Sequence, residues 1–67
     1  MLVYRLVMSS VYPGDEYEVG YYLSEEKALE VLSDYFPAYY DQPDDHGRYM
    51  ARGGGYYLEV QTKEVEA

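Results

Sequence analysis

None of the 67 residues is a cysteine, and in so short a chain that absence decides how the fold must be held together. A domain of this size buries only about 60% of the surface its unfolded form exposes. Small domains commonly offset the shortfall with disulfides, a metal or a partner chain. Disulfides and thiolate metal sites are excluded at once. The single histidine, His46, would leave a zinc site resting on carboxylates, an uncommon arrangement for structural zinc. Aromatic packing remains, and eleven tyrosines are present to supply it. Thirteen acidic side chains against five basic ones give a net charge of -8. Charge of that order suggests disorder only where aromatic and β-branched residues are scarce, and here they are not. The chain reads as one folded domain, residues 1–67, with no cofactor and no metal.

Hydrophobic periodicity supplies the elements. Leu2, Tyr4, Leu6 and Met8 alternate, with Val3, Arg5 and Val7 on the other parity, which predicts a strand with one strongly apolar face. Tyr12-Pro13-Gly14-Asp15 predicts a type II turn. Tyr17, Val19, Tyr21 and Leu23 then alternate as the core face of a second strand. Ser24 is placed to cap a helix, with Glu25 and Glu26 at the positive end of its dipole. Ala28, Leu29, Leu32, Tyr35 and Phe36 form its apolar stripe, and Pro37 stops it after about three turns. From Pro37 to Gly47 the periodicity fails, which predicts a loop with scope for motion. Arg48 to Arg52, three glycines and Tyr56 to Val65 read as a second hairpin. The expected fold is α+β, an antiparallel β-sheet with one helix packed on one face, in the order ββαββ.

Catalysis finds little support. A nucleophile, a base and an orienting group must lie within hydrogen-bond reach, and His46 sits alone in an acidic, proline-flanked loop. Asp41, Asp44 and Asp45 offer oxygen ligands to a hard cation, but the spacing and closing glutamate of an EF-hand are missing. The glycine triplet leads into a strand, whereas a phosphate cradle leads into a helix N-terminus. The expectation is a non-enzymatic protein. No run has the length of a membrane span. The apolar start, broken by Arg5, does not read as a signal peptide, so the expected location is the cytoplasm. Direct nucleic-acid binding is disfavoured because five cations cannot outweigh thirteen acids.

Interaction is the remaining class. Tyr4, Tyr17, Tyr21, Tyr35 and Tyr56 fall on expected core faces. Tyr12, Tyr22, Tyr39, Tyr40, Tyr49 and Tyr57 fall on turns, the loop or the opposite sheet face, where tyrosines serve as binding anchors; the same rings equally suit a domain compensating for a small core. The acids are more informative. Glu26/Glu30 and Glu30/Asp34 are like-charged i,i+4 pairs, each costing about 0.2–0.5 kcal/mol, and Asp34 opposes the helix dipole. The row repeats at about 6 Å, near the phosphate spacing of a nucleic-acid strand, and Asp41, Asp44 and Asp45 extend it. A merely soluble surface would also carry such charge.

In size, charge and this acidic helix beside tyrosines, the chain resembles the small phage-encoded inhibitors that mimic DNA, anti-CRISPR proteins among them. The resemblance implies a basic nucleic-acid-binding partner, a CRISPR-Cas effector subunit, whose target-DNA or PAM-recognition site the chain occupies. It implies Glu25, Glu26, Glu30, Asp34, Asp41, Asp44 and Asp45 as phosphate surrogates and Tyr39 and Tyr40 as contact anchors, acting in a host bacterial cytoplasm. The rival expectation is an accessory protein–protein interaction module, monomeric or homodimeric, using an exposed tyrosine-rich face.

Overall fold

The computed structural model describes residues 1–12 and 14–66. Two antiparallel hairpins flank one helix: β1 (Leu2–Ser10), β2 (Glu16–Tyr22), α1 (Glu25–Ser33), β3 (Tyr49–Met50) and β4 (Tyr56–Glu64). The protein is thus α+β in the order ββαββ. The four strands form one antiparallel sheet in the spatial order β2-β1-β4-β3, so the chain's first and last long strands lie side by side at its centre. The β1/β4 register runs from Leu2 opposite Glu64 to Ser10 opposite Tyr56.

Because paired residues share a face, Leu6 opposite Val60 and Met8 opposite Leu58 define an apolar face. Leu6 and Leu58 form the core cluster with Leu32 of α1 and Tyr39. Val19, Tyr22, Leu29, Tyr35, Phe36 and Tyr49 pack around it. The opposite parity of β1 carries Val3, Arg5, Val7 and Ser9.

Three local features depart from the sequence expectation. In β2, Leu6 opposes Gly20 while Val7 opposes Glu18, so the register slips by one residue around Val19. A bulge of this kind inserts an unpaired residue and shifts the parity beyond it. Tyr22, not Tyr21, therefore lies across from Tyr4 on the core face. Its ring covers Gly20, where a methyl group would come within 2.8 Å of the phenol oxygen. Tyr17, Tyr21 and Leu23, expected inside, are exposed.

The helix ends at Ser33, before Pro37. Past that point the amides of Asp34, Tyr35 and Phe36 donate to the carbonyls three residues back, the tightening common in last turns. Tyr35 and Phe36 still reach the core from this turn. The Phe36–Pro37 peptide is cis.

The second hairpin keeps only two residues in β3. The chain turns at once: the Gly54 amide donates to the Ala51 carbonyl at 3.0 Å, and Gly54 and Gly55 take φ of +77° and +86°, a region that side chains disfavour. The other edge of β3 is also paired. Tyr40 donates to Met50, Arg52 donates to Ala38, and Tyr39 bridges Ala51. The stretch expected as loose loop thus begins as an edge of the sheet. At the first hairpin, Gly14 has φ +105°; the turn proposed on Pro13 lies partly outside the described residues.

Candidate functional site

The expected surrogates lie on two segments, α1 with its C-cap and residues 41–45. Ser24 starts the helix as read from the sequence: its hydroxyl accepts from the Lys27 amide at 3.1 Å. Ala28 and Leu32 turn into the core, which leaves Glu25, Glu26, Glu30 and Asp34 exposed. Asp34 holds helical φ and ψ as the C-cap, so Glu26, Glu30 and Asp34 stay in line down one side of the helix at about 6 Å of rise per step. Lys27 approaches Glu30 at 3.7 Å, both well exposed, a contact of small value. Among the described residues, Glu25, Glu26 and Asp34 form no ion pair.

Residues 41–47 are more ordered in their bonding than their composition suggests. The Asp44 carboxylate accepts from the amides of His46 at 2.8 Å and Arg48 at 2.9 Å, and from Arg48 Nε at 3.0 Å. The Asp44 amide returns a bond to the Arg48 carbonyl at 2.9 Å. The Arg48 amide, then desolvation acting against it, then the His46 amide and the Arg48 guanidinium leave the Asp44 acid below the usual carboxylate range. This carboxylate closes the loop and is not a free surrogate. Asp41 and Asp45 are exposed and form no ion pair among the described residues. Among the described residues no three histidine, aspartate or glutamate side chains converge on a metal-binding geometry, and no helix is long and apolar enough to cross a membrane.

The two proposed anchors separate. Tyr39 is 8% exposed, a member of the core, and meets Tyr35 edge-on at 6.0 Å. Burial, reinforced by Tyr35 and Tyr56, pushes its phenol up. It cannot serve as an exposed anchor; pairing with Ala51 draws it inward. Tyr40 is 47% exposed, with the Arg52 guanidinium 4.6 Å from its ring centre. Tyr22 and Tyr49, assigned to the outer set, pack on the core. Tyr12, Tyr17, Tyr21 and Tyr56 are the exposed rings besides Tyr40.

The cations complete the electrostatic picture. Arg5 lies among Glu16, Glu18 and Gln61 on the sheet. Arg48 serves Asp44 and lies 5.0 Å over Tyr57. Arg52 donates to the Pro37 carbonyl at 2.6 Å, and Lys63 stands 5.7 Å over Tyr21. Of the lysines and arginines only Lys27 is on α1. This sorting leaves no local trace in the sequence, since it depends on which cations the sheet brings beside which acids. No protein-family model, no curated protein and no solved structure matches the chain.

Proposed function

We propose that this chain is a non-enzymatic binding protein that occupies the nucleic-acid groove of a basic partner, with Glu25, Glu26, Glu30, Asp34, Asp41 and Asp45 standing in for a stretch of phosphates. The observation that carries the reading is the division of charge. Glu25, Glu26, Asp34, Asp41 and Asp45 have no ion-pair partner among the described residues, while all three arginines are engaged elsewhere. In this reading α1 lies across one face of the sheet, anchored where Leu32 meets Leu6 and Leu58. That anchoring holds the carboxylates in a fixed row. At physiological salt the screening length is about 8 Å, longer than the ~6 Å step of the row, so the carboxylates act on a partner together. A field of this kind accelerates docking into a basic groove and excludes the nucleic acid that belongs there. The target-DNA or PAM-recognition site of a CRISPR-Cas effector is the groove implied by the resemblance to anti-CRISPR inhibitors.

Titration into an effector–DNA mixture tests this. The expected result is DNA displacement that weakens steeply between 50 and 200 mM salt, roughly as other phosphate-site contacts do, and that is lost on reversing Glu26, Glu30 and Asp34 to lysine. Displacement indifferent to salt, or none at all, rejects the proposal.

One observation favours a second reading. Val11, Tyr12, Tyr17 and Tyr56 are exposed at the end of the sheet where β1 meets the first turn, with Met8 opposite Tyr17 and Ser10 opposite Tyr56. Self-association through this end predicts a concentration-dependent mass in light scattering that the helix reversals leave intact.

A further inference from the structure

Glu25 and Leu29 of α1, Tyr4 of β1, Tyr49 of β3, and Val60 and Thr62 of β4 line a half-open pocket of about 220 Å³, with Pro43 and Gly47 completing its wall. Pockets for drug-sized ligands run from about 300 to 1,000 Å³. The volume here fits one extended side chain better than a metabolite. Glu25 is the only charged residue in the lining, and it has no ion-pair partner among the described residues.

We propose that this pocket seats a single arginine side chain presented by the basic partner. The inference rests on the groove-occupying function proposed above and names the contact that would orient the two proteins. Leu29 and Val60 offer apolar surface to the aliphatic stem, as such stems require. Tyr4 and Tyr49 place aromatic side chains in the pocket wall, groups that attract a planar cation, and the Glu25 carboxylate can accept from its fork of N–H donors.

The molecule contains an occupied example of the same chemistry. The Arg48 guanidinium donates to the Asp44 carboxylate at 3.0 Å while lying 5.0 Å over Tyr57. Arg52 repeats the ring contact over Tyr40 at 4.6 Å. The pocket lining holds the same residue types, one carboxylate and two tyrosines, and the chain's own arginines are committed elsewhere. Arginine is favoured over lysine because a flat, weakly hydrated guanidinium stacks and forks where an ammonium does neither.

The test uses N-butylguanidinium, a mimic of one arginine side chain, with N-butylurea as its neutral counterpart, followed by NMR on the full chain. The expected result is saturable shifts at Tyr4, Leu29, Tyr49, Val60 and Thr62 with the guanidinium and none with the urea. Glu25→Gln raises the dissociation constant about fivefold, the upper range for one partly exposed charge pair, and Asp15→Asn, an exposed acid beside the first turn and outside the pocket lining, leaves it unchanged. Absence of shifts at the pocket, equal binding of the urea, or equal loss in Glu25→Gln and Asp15→Asn overturns the inference. The probe reads the pocket without any partner protein or DNA, so DNA displacement without pocket shifts removes the arginine seat alone. Pocket shifts without DNA displacement remove the groove reading and leave the seat.

Discussion

The Arg5 face of the sheet and the outer side of α1 are both acidic, yet they use their carboxylates in opposite ways. On the sheet, Arg5 Nη1 donates to Glu16 Oε1 at 3.0 Å and to Gln61 Oε1 at 2.9 Å, its Nε lies 3.7 Å from Glu18, and Gln61 passes a bond on to Glu59 at 2.7 Å. This polar lattice spans β2, β1 and β4. On the same parity as Arg5, Val3 and Val7 are buried, Val7 completely, although they belong to the face opposite Leu6. The acids there help close a surface that the small core cannot. On α1 and its C-cap, four carboxylates face one lysine, and among the described residues the one ion pair they form is the exposed Lys27–Glu30 contact at 3.7 Å. Net charge alone would have treated the two regions alike. The difference shows which acids a thin domain needs for itself and which it carries in spite of their mutual repulsion.

Breaking the lattice is expected to have the largest effect. Arg5→Met leaves Glu16, Glu18 and Gln61 without their shared donor in a partly buried setting. We expect a loss of about 1–2 kcal/mol, between the values for exposed and buried charge pairs. Lys27→Met, the matching removal on α1, should stay within about 0.5 kcal/mol, as isolated surface changes do. Urea unfolding followed by circular dichroism measures both. Equal losses would erase the distinction between the regions.

A smaller effect of opposite sign sharpens the contrast. Asp34→Lys replaces the Glu30/Asp34 repulsion with attraction and puts a cation at the negative end of the helix dipole, for a gain of about 0.5–1 kcal/mol. The same variant should displace DNA more weakly in the effector assay. A residue whose replacement stabilises the protein and weakens its binding is one kept for the partner. If the midpoint of urea unfolding does not rise, or DNA displacement is unchanged, the row on α1 is ordinary surface.

How much of this was legible beforehand follows from the range of the interactions involved. Ser24 as N-cap, the alternation of β1 and the order ββαββ depend on neighbours within a few residues, and the sequence carries them openly. The sorting of the tyrosines does not. A single extra residue at Val19 reverses parity for Tyr21 and Tyr22, and no local signal beyond Gly20 marks it. Tyr39 is drawn into the core by pairing with Ala51, twelve residues away, and Asp44 is taken up by Arg48 only once the loop has closed on β3. Exposure of Glu26, Glu30 and Asp34, by contrast, follows directly from helical spacing, which is why the row on α1 was readable while the anchors beside it were not.

The smallest expected effect lies inside a single loop, where the contrast between used and unused acids recurs at close range. Asp44 bonds to Arg48 and His46, while Asp45 next to it has no ion-pair partner among the described residues. Because the folded acid of Asp44 is held below the usual range, its contribution is fully present above the unfolded value of about 3.9. It is lost as pH falls through the lower folded value. Acidification below about pH 4 should therefore release the His46 and Arg48 amides before the strands unfold, seen as movement of those two amide resonances in an NMR titration. Asp44→Asn should remove that transition, and Asp45→Asn should keep it. If the two variants behave alike, the loop is closed by its turn geometry, and Asp44 returns to the unused acids beside Asp41 and Asp45.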